Sequence, residues 1–154
     1  MKNKRLIISW SLLIGWMLLI FFMSNQPADI SNKQSDLAIN LFSIIGIDLN
    51  NHLGEIASFV VRKAAHFTEY FILGVLSTVT VLHMTWKRRW VCGLGFCVAI
   101  ACLDECLQLF VSGRSGKVID VLIDGAGALV GLLIVYLVVR IISGYKNKSI
   151  DLVV

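Results

Sequence analysis

Four stretches of this chain are apolar and close to the roughly 20 residues that a helix needs to cross a bilayer, namely 6–23, 64–84, 91–111 and 118–142. The second, third and fourth stretches carry carboxylates inside the apolar run. A carboxylate at the centre of a bilayer costs about 2.5–3.5 kcal/mol on insertion scales, so such residues usually face a bundle interior and mark a functional site. The acids concerned are Glu69, Asp104, Glu105, Asp120 and Asp124.

Composition places the chain among integral membrane proteins. Of its residues, 57% are hydrophobic and 16% are charged, whereas soluble domains have roughly 45–50% and 25%. Linker-like tracts and internal repeats are absent from the sequence, so we expect one domain over residues 1–154. The net charge of +4 does not indicate nucleic-acid binding, because the lysines and arginines flank the spans.

The polar segment between the first two spans contains a periodic apolar pattern. Leu37, Leu41, Ile44 and Ile45 recur at helical spacing, which predicts a short amphipathic helix on the membrane surface within residues 35–50. The predicted fold class is therefore all-α. It is a four-span transmembrane helical bundle with a short amphipathic surface helix in the first extracytoplasmic loop.

The distribution of basic residues predicts the orientation. Four spans place both termini and the 85–90 turn on one side, which holds nine lysines and arginines against five on the other. Short basic loops stay in the cytoplasm, so we expect a multi-pass protein of the cell membrane with both termini cytoplasmic. The intramembrane acids then belong to the outer half of the bilayer.

Three of the acids lie at one predicted depth. Glu69, Glu105 and Asp124 each lie about five or six residues inside the outer end of their span, roughly 8–9 Å below the interface at about 1.5 Å per residue. Because three different helices supply carboxylates at the same depth, the sequence predicts one shared site.

Helical spacing adds further polar side chains on the second span. Arg62, His66 and Glu69 are spaced i, i+4 and i+7 and form one stripe. Tyr70 borders this stripe, and Lys63 is predicted to cap the site from the water side.

The third and fourth spans show the same spacing. Gln108 shares a helical face with Asp104 or Glu105, and Asp120 and Asp124 are spaced i and i+4. The six glycines of the second, third and fourth spans are predicted to let helices approach closely. They are Gly74, Gly93, Gly95, Gly125, Gly127 and Gly131.

The motifs together resemble the VanZ-like family of small bacterial membrane proteins. They are FFMSNQP after the first span, RKAAHFTEY on the second, and DECLQLFVSGRSGKVIDVLIDGAGALVG across the third and fourth. The resemblance covers nearly the whole chain. It implies a four-span envelope protein, and the namesake of the family gives low-level resistance to teicoplanin-type glycopeptides.

The positions that match the family's motifs fall into two groups of candidate site residues. Carboxylates and a histidine that share a low-dielectric site can act as general acids and bases. The candidates for catalysis are His66, Glu69, Asp104, Glu105, Asp120 and Asp124. Arginine pairs bidentately with phosphate, and turns such as SGRSG offer backbone donors. The candidates for ligand binding are Arg62, Lys63, Tyr70, Gln108, Arg114, Ser115, Ser24 and Gln26.

The expected partner is a membrane lipid or a lipid-linked cell-wall precursor, with a glycopeptide antibiotic affected indirectly and no nucleic acid involved. The sequence does not decide whether the protein is an enzyme. If it is one, its residues would support acid–base or metal-assisted chemistry. His66, Glu69, Glu105 and Asp124 offer one nitrogen and three oxygens to a metal, but a single histidine fits no strong zinc pattern, so we assign no metal ligand and no cofactor. The alternative is a structural or partner-binding protein whose buried charges only hold the helices together, at about 0.6 kcal/mol per interhelical hydrogen bond.

Overall fold

The computed structural model describes residues 2–84 and 88–151, and within these ranges it contains helices and turns without a β-strand. Four helices are long and apolar enough to cross a membrane when α3 and α4 are counted as one span, Leu49–Leu82. The predicted all-α class is therefore confirmed. The helices are α1 (Lys2–Ser24), α2 (Ala28–Ile44), α3 (Leu49–Leu53), α4 (Ala57–Leu82), α5 (Arg89–Gln108) and α6 (Val118–Asp151).

Local sequence explains where several helices begin and end. Pro27 precedes α2 at φ −52°, an angle that its ring fixes in advance. The Asp48 side chain caps α3 by accepting a hydrogen bond from the Asn51 backbone N–H at 3.0 Å. Gly54 and Gly113 take positive φ values of 55° and 71° in the turns after α3 and α5, a conformation that glycine adopts most readily.

Two parts of the chain differ from the predicted spans and turns or lie partly outside the described residues: the end of α6 and the basic turn at 85–90. The fourth apolar stretch ends at residue 142, whereas the helix that contains it, α6, continues to Asp151. The basic turn at 85–90 is only partly covered, because residues 85–87 lie outside the described residues.

The surface helix exists but is longer than predicted and begins earlier, at Ala28 rather than within 35–50. The segment that follows Pro27 contains no helix breaker until Gly46, so the helix extends over its polar part as well. Leu37 and Leu41 point outward and are exposed, whereas Ser31 and Ser35 are buried against the bundle. The exposed side of α2 therefore carries Leu37 and Leu41 among polar residues, and its buried side carries Ser31, Ser35 and Ile39.

The closest helix packing joins α4 to α6. A Cβ atom at Gly74, Gly127 or Gly131 would overlap backbone atoms of the facing helix, including the carbonyl oxygens of Phe67 and Phe71. We call these three glycines the glycine seam. Small residues let helices approach in this way in membranes, where the hydrophobic effect supplies no driving force between helices. Gly95 meets no atom within 4 Å, so the predicted close approach is wrong at that position.

The bundle has a small core and a largely apolar exterior. Tyr70, Leu73, Ile20, Cys97 and Ala128 are buried at its centre. The outward positions of α1 and α6 are mostly leucine, isoleucine, valine and phenylalanine with large exposed fractions. Together with the four long apolar helices, this exterior defines a membrane protein.

Candidate functional site

The predicted site residues meet at one end of the bundle, where α1 and α5 end and α4 and α6 begin. We call this the site end. Two interactions join its connecting segments: the Ala28 N–H donates to the Ser112 carbonyl at 3.2 Å, and Arg114 Nε donates to the Gln26 carbonyl at 3.1 Å. These bonds fix the α1–α2 link against the α5–α6 turn, so side chains from four helices converge between them.

A buried hydrogen-bond network connects α1 with α5. Ser24 Oγ donates to Asp104 Oδ2 at 2.6 Å, and Gln108 Nε2 lies 2.6 Å from Ser24 Oγ and 3.2 Å from Glu105 Oε1. The Lys117 backbone N–H donates to Glu105 Oε2 at 2.7 Å. Gln108 therefore reaches both acids, at i−4 and i−3, and the choice that the sequence left between Asp104 and Glu105 resolves to both.

A second group of buried polar atoms lacks partners. His66 Nδ1 lies 3.7 Å from Asp124 Oδ1 and 4.0 Å from Glu69 Oε2, which is too far for a hydrogen bond. Both Asp124 carboxylate oxygens, the Tyr70 hydroxyl and Asp104 Oδ1 have no partner among the described residues. Buried polar groups in native proteins are nearly always paired, so a cluster of unpaired ones indicates a site shaped for something other than stability.

Basic side chains surround this buried core on its outer side. Lys63 forms an ion pair with Asp120, and an Arg62 terminal nitrogen donates to the Asn32 side-chain oxygen. Burial lowers the pKa of the Arg114 guanidinium, and the nearby positive charge of Arg62 lowers it further. Arg62 and Arg114 also line the same two cavities, which are described next.

A charged cavity of about 150 Å³ opens beside these residues. Arg62, His66, Glu69 and Arg114 line it, together with Ser24 and the inner face of α2. We call it the charged cavity.

An apolar groove of about 560 Å³ adjoins the charged cavity between α1, α2 and α4. Trp16, Phe42, Leu53, Val60 and Ile72 are among its walls. The groove and the charged cavity have four lining residues in common, and these mark their junction. They are Ala38, Val61, Ala65 and Glu69.

A third cavity of about 90 Å³, the outer cavity, lies on the other side of the basic residues. Its walls include Lys63, Ser115, Lys117 and Asp120. It shares three lining residues with the charged cavity, which form the partition between the two. They are Arg62, His66 and Arg114.

Two predicted residues contribute less directly than the others. The Gln26 side chain accepts a hydrogen bond from Gln34 at 2.8 Å, so its contact with Arg114 runs through its backbone carbonyl. Ser115 is exposed. Of the three cavities of the site end, it lines the outer cavity and neither of the other two.

Sequence reasoning missed the contribution of α2 to the site. Ser31, Ser35 and Ala38 line the charged cavity at spacing i, i+4 and i+7. Arg62 and Ser58 of α4 hold the helix in place through Asn32 and Asp36. The stripe of small residues opposite the apolar face was present in the sequence, but the side it faces depends on the folded bundle. Trp16 was also missed; its Nε1 donates to the Glu69 carbonyl at 2.9 Å and thereby fixes α1 against α4.

The acidic side chains and His66 do not form a metal centre. Within residues 2–84 and 88–151, no three His, Cys, Asp or Glu side chains are arranged to hold one metal ion. His66, Glu69, Glu105 and Asp124 thus share a region of the bundle without converging on a common point.

These features define a small helical membrane protein with a charged site enclosed at one end of its bundle. The family model described as VanZ/LLP1 matches residues 9–140. The match covers nearly the whole chain, so the protein belongs to this family, as the motifs predicted. Comparison with curated proteins and with solved structures gave no match.

Proposed function

We propose that this protein binds an amphiphile of the outer leaflet, a membrane lipid or a lipid-linked cell-wall precursor, and thereby lowers susceptibility to teicoplanin-type glycopeptides. The observation that carries the proposal is the junction between the charged cavity and the apolar groove. A ligand with a polar head and a hydrocarbon chain can fill both spaces at once, whereas a water-soluble ligand would leave the groove empty.

The groove suits a hydrocarbon chain for two reasons. Its volume of about 560 Å³ lies within the range of roughly 300–1,000 Å³ that is usual for ligand pockets. Its walls also belong largely to helices that span the membrane, so a lipid chain can enter from the bilayer without crossing water.

Orientation is part of the proposal. The site end carries the minority of the basic residues, so it faces the outside when both termini are cytoplasmic. Alkaline phosphatase is active only outside the cytoplasm. We expect activity when it is inserted after Gly46 and none when it is fused after Ser143; the opposite pattern would reverse the orientation.

Acid–base catalysis on the bound head group is a second candidate function. It is favoured by His66, which lines both the charged cavity and the outer cavity and leaves Nδ1 without a hydrogen bond. A histidine so placed can take a proton from, or give one to, a head group. A catalyst would show a pH–rate profile with acid and base limbs that His66→Gln abolishes while binding persists.

The test is teicoplanin susceptibility in a sensitive Gram-positive host. Wild type is compared with Glu105→Gln, Arg114→Ala and Ala65→Phe, the last of which blocks the junction of cavity and groove. Ala99→Phe and Lys33→Gln are matched controls, because Ala99 and Lys33 are exposed and do not line the described cavities.

We expect resistance from wild type and both controls, and none from the three site variants at equal membrane abundance. Full resistance in all three site variants would contradict the proposal and favour the structural role. Direct lipid binding, measured by native mass spectrometry, should follow the same ranking.

A further inference from the structure

We infer that the polar group bound in the charged cavity is a phosphate, held between Arg62 and Arg114 at the end of the ligand's apolar part. The inference rests on the proposed function and names the chemistry of its ligand. Three observations carry it: the bonding of the two guanidiniums, the charges that line the cavity, and the size of the cavity.

The described residues leave both guanidiniums without a direct ion pair to a carboxylate. Arg62 donates to the neutral amide of Asn32 and leaves its buried Nε without a partner. Arg114 donates from Nε to a backbone carbonyl. In the described part of the chain neither forms an ion pair with a carboxylate, whereas the neighbouring Lys63 is paired with Asp120. The donors left over are those that pair bidentately with a phosphate.

The two positive charges also oppose each other. Burial and then the charge of Arg62 lower the pKa of the Arg114 guanidinium, whereas the nearby carboxylates of Asp104, Glu105 and Glu69 raise it. A phosphate between them would relieve both charges. Glu69 is the one carboxylate that lines the charged cavity, and it lies at the junction with the groove. The two guanidiniums and one carboxylate of this lining favour an anion as the ligand.

The size of the cavity limits what lies next to the chain. A volume of about 150 Å³ is below the roughly 300–1,000 Å³ that is usual for ligand pockets. A compact group such as phosphate suits this space better than a sugar or peptide does. Any larger part of a head group would have to extend past the partition into the outer cavity.

Native mass spectrometry of the detergent-purified protein tests the assignment. The probes are phosphatidic acid, phosphatidylcholine and diacylglycerol with identical chains, and inorganic phosphate as a competitor. We expect phosphatidic acid to bind about tenfold more tightly than diacylglycerol, because charge-assisted hydrogen bonds contribute at least that much. Phosphatidylcholine, whose larger head group is crowded in the cavity, should bind less tightly than phosphatidic acid.

The variants are Arg62→Gln, Arg114→Gln and the conservative Arg62→Lys, with Lys33→Gln as the control of equal charge change. Both glutamine variants should lose the preference for phosphatidic acid, Arg62→Lys should keep part of it, and the control should keep all of it. Thermal unfolding of each variant, with Arg62→Lys as the mildest change, separates loss of binding from loss of fold.

The outcomes distinguish this inference from the function on which it rests. Equal binding of phosphatidic acid and diacylglycerol, both lost in Ala65→Phe, would overturn the phosphate and leave the amphiphile in place. Absence of lipid binding would overturn both. If inorganic phosphate bound as tightly as phosphatidic acid, the hydrocarbon chain would contribute nothing to the affinity. The site would then be one for a free anion, and the lipid assignment would be overturned.

Discussion

The glycine seam and the site end both include residues of α4 and α6, and they are built on opposite principles. At the seam the backbones touch, and Gly127 and Gly131 leave no space for a Cβ atom. At the site end, residues of both helices line the outer cavity, and Asp124 is fully buried without a hydrogen bond among the described residues. One region therefore contributes stability, and the other retains groups that cost stability.

This division has a physical reason. In a bilayer, helices associate through close packing and interhelical hydrogen bonds, and the GxxxG spacing of Gly127 and Gly131 gives the closest packing that the backbone allows. Unpaired buried polar groups persist only where the surrounding structure compensates for them. The seam lies directly next to the site on the same two helices, so it can hold the site open.

The largest expected effect comes from filling the seam. Gly127→Val would press a side chain against the Phe67 carbonyl and should lower the free energy of unfolding by about 1–3 kcal/mol, the usual cost of overpacking. Unfolding in mixed detergent micelles measures this change. Gly95→Val is the matched control, since Gly95 faces open space; equal losses in the two variants would argue against the seam.

A smaller effect is expected from the buried network at the site. Ser24→Ala removes the 2.6 Å hydrogen bond to Asp104 and should destabilise the protein by about 1–2 kcal/mol, because a buried acceptor loses its closest donor. Ser9→Ala on the same helix removes only a bond to the Leu6 carbonyl within that helix. We expect almost no change there, and a Ser9 effect as large as that of Ser24 would refute the reasoning.

The smallest change in stability is expected from a substitution at Asp124, although this substitution should abolish function. Asp124→Asn keeps the shape of the side chain and replaces a buried carboxyl group that has no hydrogen-bond partner among the described residues, so the free energy of unfolding should stay level or rise by about 1 kcal/mol. Resistance in the susceptibility assay should nevertheless be lost. Strong destabilisation would instead assign Asp124 to holding the bundle together.

Much of this arrangement was predictable from the sequence because burial of charge is so costly in a membrane. The carboxylates inside apolar runs had to face inward, so hydropathy and helical spacing alone predicted that Glu105 and Asp124 lie in one region of the bundle. The extent of α2 was mispredicted, since the apolar pattern of Leu37 and Leu41 marks only part of that helix.

The sequence by itself determined the helical class, the four apolar spans and the inward placement of the acids, because hydropathy and helical spacing act locally along the chain. Only the tertiary structure decided that the serine face of α2 closes the charged cavity, that Arg62 and Arg114 divide it from the outer cavity, and that an apolar groove adjoins it. Those features depend on contacts such as Ser24 with Asp104, which are 80 residues apart in the chain. Local spacing does not specify such contacts, because they form only when whole helices pack together.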